Sequence, residues 1–106
     1  MPKFMIKGTY TAEGLKGLTK DKASGREKAI AKACEAIGGK LDALYFALGD
    51  DDFFVVVDVP SHVSITSLCV AAGASGTAHT QTVPLLTIAE MDKALSEDAK
   101  YRPPGH

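Results

Sequence analysis

The sequence predicts an α+β fold: one four-stranded antiparallel sheet, two principal helices on one of its faces, and a further helix at the end. Three observations carry that reading. Apolar and polar residues alternate over residues 3–10, 40–48 and 52–59, and more weakly over 77–86. Between these stretches, apolar residues fall at i, i+3, i+4 and i+7, the spacing of one helical face. Glycine, proline and short polar runs separate the segments.

The first strand is "KFMIKGTY", in which Phe4, Ile6, Gly8 and Tyr10 oppose Lys3, Met5, Lys7 and Thr9. Residues 11–23 form a polar stretch with Gly14 and Gly17, with room for a short turn of helix over "AEGLKGL". Ser24 and Glu27 have capping-box spacing and predict the start of the first helix. Its stripe is Ile30, Ala33, Cys34 and Ile37, and Gly38 is placed to end it in a left-handed conformation. Lys40 to Leu48 returns to period two, "GDDD" supplies turn formers, and "DFFVVVDV" resumes as a strand, so the pair reads as a hairpin. After Pro60, Ser61 caps a second helix whose stripe is Ile65, Leu68, Cys69 and Ala72, broken by Gly73 and Gly76. The last strand, "TAHTQTVPLL", contains Pro84, which removes a ladder donor and suits a sheet edge or strand end. Thr87 and Glu90 form another capping box, opening a helix with Ile88, Met91 and Leu95 on one side. The order strand, helix, strand, strand, helix, strand with right-handed crossovers is the ferredoxin-like arrangement, here with an additional C-terminal helix.

The 106 residues suit one domain, read as residues 1–99, with 100–106 as a flexible tail. Twelve basic and thirteen acidic residues give a net charge of −1, which predicts no whole-chain attraction to nucleic acid or to a membrane surface. No apolar run approaches a membrane span, and "MPKFMIKGTY" lacks the layout of a secretory signal, so a cytoplasmic location is expected. Cys34 and Cys69 fall on helical apolar stripes and read as buried free thiols. Dinucleotide, phosphate-loop, nucleophile-elbow and HExxH spacings are absent, and neither a cofactor nor a metal site is predicted.

The strand faces are unequal. Phe53, Val55, Val57 and Val59 match Phe4, Ile6, Gly8 and Tyr10 as the set facing the helices. The opposite face carries Met5, Lys7, Thr9, Asp52, Phe54, Val56 and Asp58, joined by Tyr45 or by Leu44 and Phe46. It is too apolar for bare solvent and too polar for a dry core, which predicts a homodimer or higher oligomer with sheets face to face. A small molecule held between the sheets is the functional expectation that follows, with Lys7, Thr9, Tyr45, Asp52 and Asp58 as ligand-binding candidates.

The opening "MPKFMIKGTYTAEGLKGL", the helix ending "AIGGKLDALYFALG", and the acidic turn before a valine-rich strand and Pro60 resemble the GYD domain family over roughly residues 2–95. These are small bacterial and archaeal proteins of poorly defined function. Gly49 and Asp52 match the ends of the namesake turn, while Asp51 stands at its tyrosine position. The resemblance implies a ferredoxin-like fold paired as a dimeric α/β barrel, and brings no catalytic residues with it.

Asp50, Asp51 and Asp52 read as a solubilising turn in preference to a cation site, because neighbours on a strand point to opposite faces. His79, Lys7 and Asp52 are the catalytic candidates: the histidine or an aspartate as base, with Lys7 or Tyr45 as polar partner. By fold-level analogy that set suits a cofactor-independent monooxygenase or isomerase. A regulatory or structural protein-interaction module is the third reading, and it predicts an apolar patch left over even in the homodimer.

Overall fold

A computed structural model describes residues 1–106. The elements are β1 (Lys3–Tyr10), α1 (Ala12–Ala36), β2 (Lys40–Phe46), β3 (Phe53–Asp58), α2 (His62–Ala74), β4 (Ala78–Leu85) and α3 (Ile88–Ser96). The strands lie in the order β2-β3-β1-β4, and every neighbouring pair is antiparallel. This is the ferredoxin-like βαββαβ topology, followed by one more helix.

The barrel implied by the family resemblance is corrected by this sheet. It is open and uncurled: β2 and β4 lie at opposite edges, separated by β3 and β1, and neither pairs beyond its single neighbour. Closing a barrel requires the two edges to meet, and four strands at about 4.8 Å spacing are too few to bring them together.

The first helix also begins earlier than its capping-box signal suggests. Thr11 is the N-cap, its hydroxyl accepting the Gly14 N–H at 3.2 Å. Thr11 also donates its own N–H to the Thr77 carbonyl at 3.0 Å and its hydroxyl to the Gly76 carbonyl at 2.8 Å, which ties the helix start to the α2–β4 turn. Gly14 is buried there, and a β-carbon on it would collide with the Thr77 carbonyl. The helix is interrupted at Lys22, whose φ of 65° and ψ of 165° are not helical. A second helical stretch therefore starts at the kink, within two residues of Ser24 as the spacing predicts, and what the sequence missed is the stretch from Ala12 that precedes it. The C-terminus behaves as its sequence predicts: Gly38 takes φ +80°, and the Gly38 and Gly39 N–H groups bond to the Glu35 and Cys34 carbonyls at 3.0 and 2.8 Å. That pair of bonds is a Schellman motif.

In β2 the expected strict alternation is broken by an irregularity between Leu41 and Ala43. The extra residue, Asp42, lets Leu41 and Leu44 both stand opposite inward residues of β3, Val57 and Val55. The strand stops at Phe46, and Leu48 is wholly exposed.

The core lies between the sheet and the two long helices. Phe4, Ile6, Phe53, Val55, Val57 and Val59 form its sheet side, and Cys34 and Ile65 reach it from α1 and α2. Cys69 is only half-buried, with Sγ 3.2 Å from the Thr82 hydroxyl, so the two thiols differ in setting. Only 11 of the 106 residues are buried, which leaves several apolar surfaces uncovered by the chain itself. The radius of gyration is 16.6 Å, against about 13 Å for a compact chain of this length. No residue of α3 or of the segment after it is buried.

Candidate functional site

Two surfaces are candidates, one on each side of the sheet. On the outer side, away from α1 and α2, the register arranges side chains in transverse rows. Lys40, Asp58, Lys3 and Leu85 form the first; Ala43, Val56, Met5 and Val83 the second; Tyr45, Phe54, Lys7 and Gln81 the third. Thr9 and His79 pair in a fourth, with Asp52 alongside.

All the residues singled out from the sequence therefore lie on or beside this face, but their polar groups do not converge. Asp58 lies at one end, where its carboxylate meets Lys3 Nζ at 2.9 Å and Lys40 Nζ at 3.9 Å. Lys3 also donates to Asp42 at 2.7 Å. That hydrogen bond and the Asp58 contact raise the lysine above its ordinary range, while Lys3 holds the Asp42 carboxyl below the usual aspartate range. Lys7 stands two rows away, between Phe54 and Gln81. Tyr45 is exposed across Phe54 from it. Asp52 closes the β2–β3 loop: its carboxylate accepts the Tyr10 N–H at 2.8 Å, its N–H donates to Gly8, and its carbonyl accepts from Ala47. Thr9 is half-buried and His79 exposed, opposite each other across β1 and β4. The middle of the face is the apolar row Ala43, Val56, Met5 and Val83. No three metal-ligating side chains are gathered anywhere in the chain, so Asp50, Asp51 and Asp52 do not form a cluster.

The second surface is a cleft on the helix side. α1 packs chiefly over β2 and α2 over β4, so a cleft remains between the two helices above the central strands. The cleft has a volume of about 390 Å³. Ile6, Phe53 and Val55 line it from the sheet, and Ile30 and Leu68 from the two helices. Small residues, among them Gly17, Ala33 and Ala72, keep it open. Tyr10, Asp21 and Arg26 bring polar groups to it. Tyr10 stacks at a tilt on Phe53 with ring centroids 4.9 Å apart. Burial pushes its phenol above the ordinary range, against the opposing pull of the nearby Arg26. Arg26 and Asp21 form a long ion pair of 3.7 Å across the Lys22 kink.

Sequence reasoning missed the cleft because its residues come from five elements and most are small or apolar. The one available signal was Thr11 followed by Ala12 and Glu13, an N-cap with an acid in the first turn. It would have extended α1 back to Gly14 and Gly17 and shown a helix with too little bulk to cover the sheet.

No curated protein and no solved structure matches the chain. The GYD domain model matches residues 4–95, from the second residue of β1 to within one residue of the end of α3. A match of that extent takes in every strand and helix just described, and the chain belongs to the GYD domain family.

Proposed function

We propose that the protein works as a cytoplasmic homodimer in which the outer sheet face of one copy packs on that of its partner and α3 of each copy lies against the other. The observation that carries this reading is the uncovered row Ala43, Val56, Met5 and Val83, flanked by Phe54. Within one chain nothing roofs it, because the last helix packs closely on no other element. Twofold pairing lets the same row cover itself.

Area supports a role for α3. A sheet of four strands, each about seven residues long, offers roughly 450 Å² on one face. A standard stable interface takes about 800 Å² from each partner. Ile88, Met91 and Leu95 are 85%, 48% and 70% exposed on one side of α3, beside an exposed Leu86, and they supply apolar surface toward the remainder. The helix is locally well secured, since Thr87 and Glu90 complete the capping box with bonds of 2.8 and 3.1 Å. In this reading residues 1–99 act as one unit and 100–106 as a tail outside the interface. Two unpaired cysteines, one of them buried, fit a reducing compartment. Lys7, Thr9 and His79 form one of the two polar ends of the face, and a small molecule held between paired sheets would meet them there. No reaction is assigned to the assembly.

Sedimentation velocity at micromolar concentration tests the reading. The expected result is a dimer, weakened by Met91→Asp without loss of the far-ultraviolet helix and strand signal. A wild-type protein that sediments as a monomer overturns it.

A further inference from the structure

We propose that the cleft between α1 and α2 binds a small apolar molecule carrying a carboxylate, its apolar body over Ile6, Phe53 and Val55 and its carboxylate between Tyr10 and Arg26. The site lies on the opposite side of the sheet from the pairing surface and does not depend on dimerisation.

Size is the first support: about 390 Å³ falls in the range of small-molecule sites, about 300–1,000 Å³. The second is the separation of chemistry within the cleft, an apolar floor with a few polar groups, which is how such sites bind and orient a ligand at once. The third is the balance of donors and acceptors. Arg26 has five N–H donors, and its contacts with Asp21, at 3.7 Å, and with the Tyr10 hydroxyl do not use all of them. The Tyr10 hydroxyl adds another donor, so an incoming group should bring acceptor oxygens and negative charge. A carboxylate does both and can share the guanidinium with Asp21. An amine would meet the positive guanidinium, and an alcohol would bring one neutral oxygen without the negative charge or the bidentate geometry.

The backbone gives an independent support. Lys22 is held at φ 65° and ψ 165°, close to a region that almost only glycine occupies, between the two members of the Asp21–Arg26 pair. Strain of this kind is retained where the surrounding structure fixes it, and it clusters at ligand clamps.

Isothermal titration of the full-length protein with decanoate, decanol and decylamine tests the proposal. Decanoate should bind about tenfold more tightly than decanol, with decylamine weakest. Arg26→Gln should remove the advantage of decanoate and leave decanol unchanged. Ala72→Phe, which fills the cleft from α2, should abolish binding of all three, with circular dichroism confirming the fold; Ala33→Leu, entering from α1, replaces it if it does not fold. Three outcomes overturn the proposal: no binding of decanoate, equal affinity for all three compounds in the wild type, or decanoate binding that survives filling of the cleft.

Discussion

The two faces of the sheet are built from the same strands, residue by alternate residue, yet they meet different fates. In β3, Phe53, Val55 and Val57 point to the helices and are at most 7% exposed. Phe54, Val56 and Asp58 point the other way and are only half-buried. Composition separates the two sets only slightly, through Asp58, and does not account for the difference in burial. Coverage does: α1 and α2 cross over to one side, and nothing in the chain crosses to the other. A strand that is apolar on both faces therefore says that two covers are needed, and the topology says that the chain supplies one.

Neighbouring residues give the sharpest way to break that comparison. Val57 is fully buried among core side chains, so Val57→Asp places an unpaired carboxylate where no partner can reach it. We expect a loss of about 4–5 kcal/mol, enough to unfold a domain of ordinary stability in a thermal or urea melt. Val56→Asp, one residue away, puts the same carboxylate on the outer face beside the rows of Lys3 and Lys7. The isolated subunit should keep its fold within about 1 kcal/mol and sediment as a monomer. If both variants unfold, the outer face is part of the core and the two faces do not differ in coverage.

On the covered side, the tie between α1 and the α2–β4 turn can be tested at Gly14. Gly14→Ala forces a methyl against the Thr77 carbonyl, which the Thr11 N–H already holds in place. The expected cost is about 1–3 kcal/mol by chemical denaturation, despite the better helix propensity of alanine. A neutral or stabilising result would mean that the start of α1 is free to move away from the turn.

Legibility in the sequence followed the same division. The strands and their inward face could be read because burial on one side imposes period two, and the helix ends at Gly38 and Thr87 could be read because caps are local chemistry. Partners across the sheet could not. That Asp58 meets Lys3, and that Lys7 lies between Phe54 and Gln81, depends on register and strand order, which alternation alone does not specify. The start of α1 was hidden for another reason. Gly14 and Gly17 argue against a helix by propensity, while Gly14 is there because a backbone carbonyl of the α2–β4 turn leaves no room for a side chain. The order of elements gave the topology correctly, and the family resemblance misled on closure, since edge pairing is not written in any one strand.

The covered side is also where the chain carries strain. Lys22→Gly removes a side chain from a conformation costing about 1–3 kcal/mol and gives back about 0.5–1 kcal/mol in the entropy of the unfolded glycine. A net gain of about 1 kcal/mol is expected from denaturant midpoints. A loss would show that Lys22 is held there without strain and that the kink is part of the ordinary path of α1.

The smallest effect belongs to the uncovered side, at the Lys3–Asp42 contact. The Asp42 carboxyl is depressed by its hydrogen bond from Lys3, so its contribution is present above the ordinary aspartate value of 3.8 and is lost as pH falls through the lower folded value. The raised lysine gives the mirror case: the same contact is intact below 10.5 and is lost as pH rises through the higher folded value. Between pH 5 and pH 3, then, the wild type should lose slightly more stability than Asp42→Asn, measured as the shift in urea midpoint. Asp42 is exposed and Lys3 half-buried in the single chain, so water screens the difference. Pairing of the outer faces would bring this row closer to a partner and reduce that screening. The gap between wild type and Asp42→Asn should accordingly be wider at concentrations where the protein is dimeric than in the monomeric Val56→Asp background, and equal gaps would place the contact beyond the edge of the paired surface.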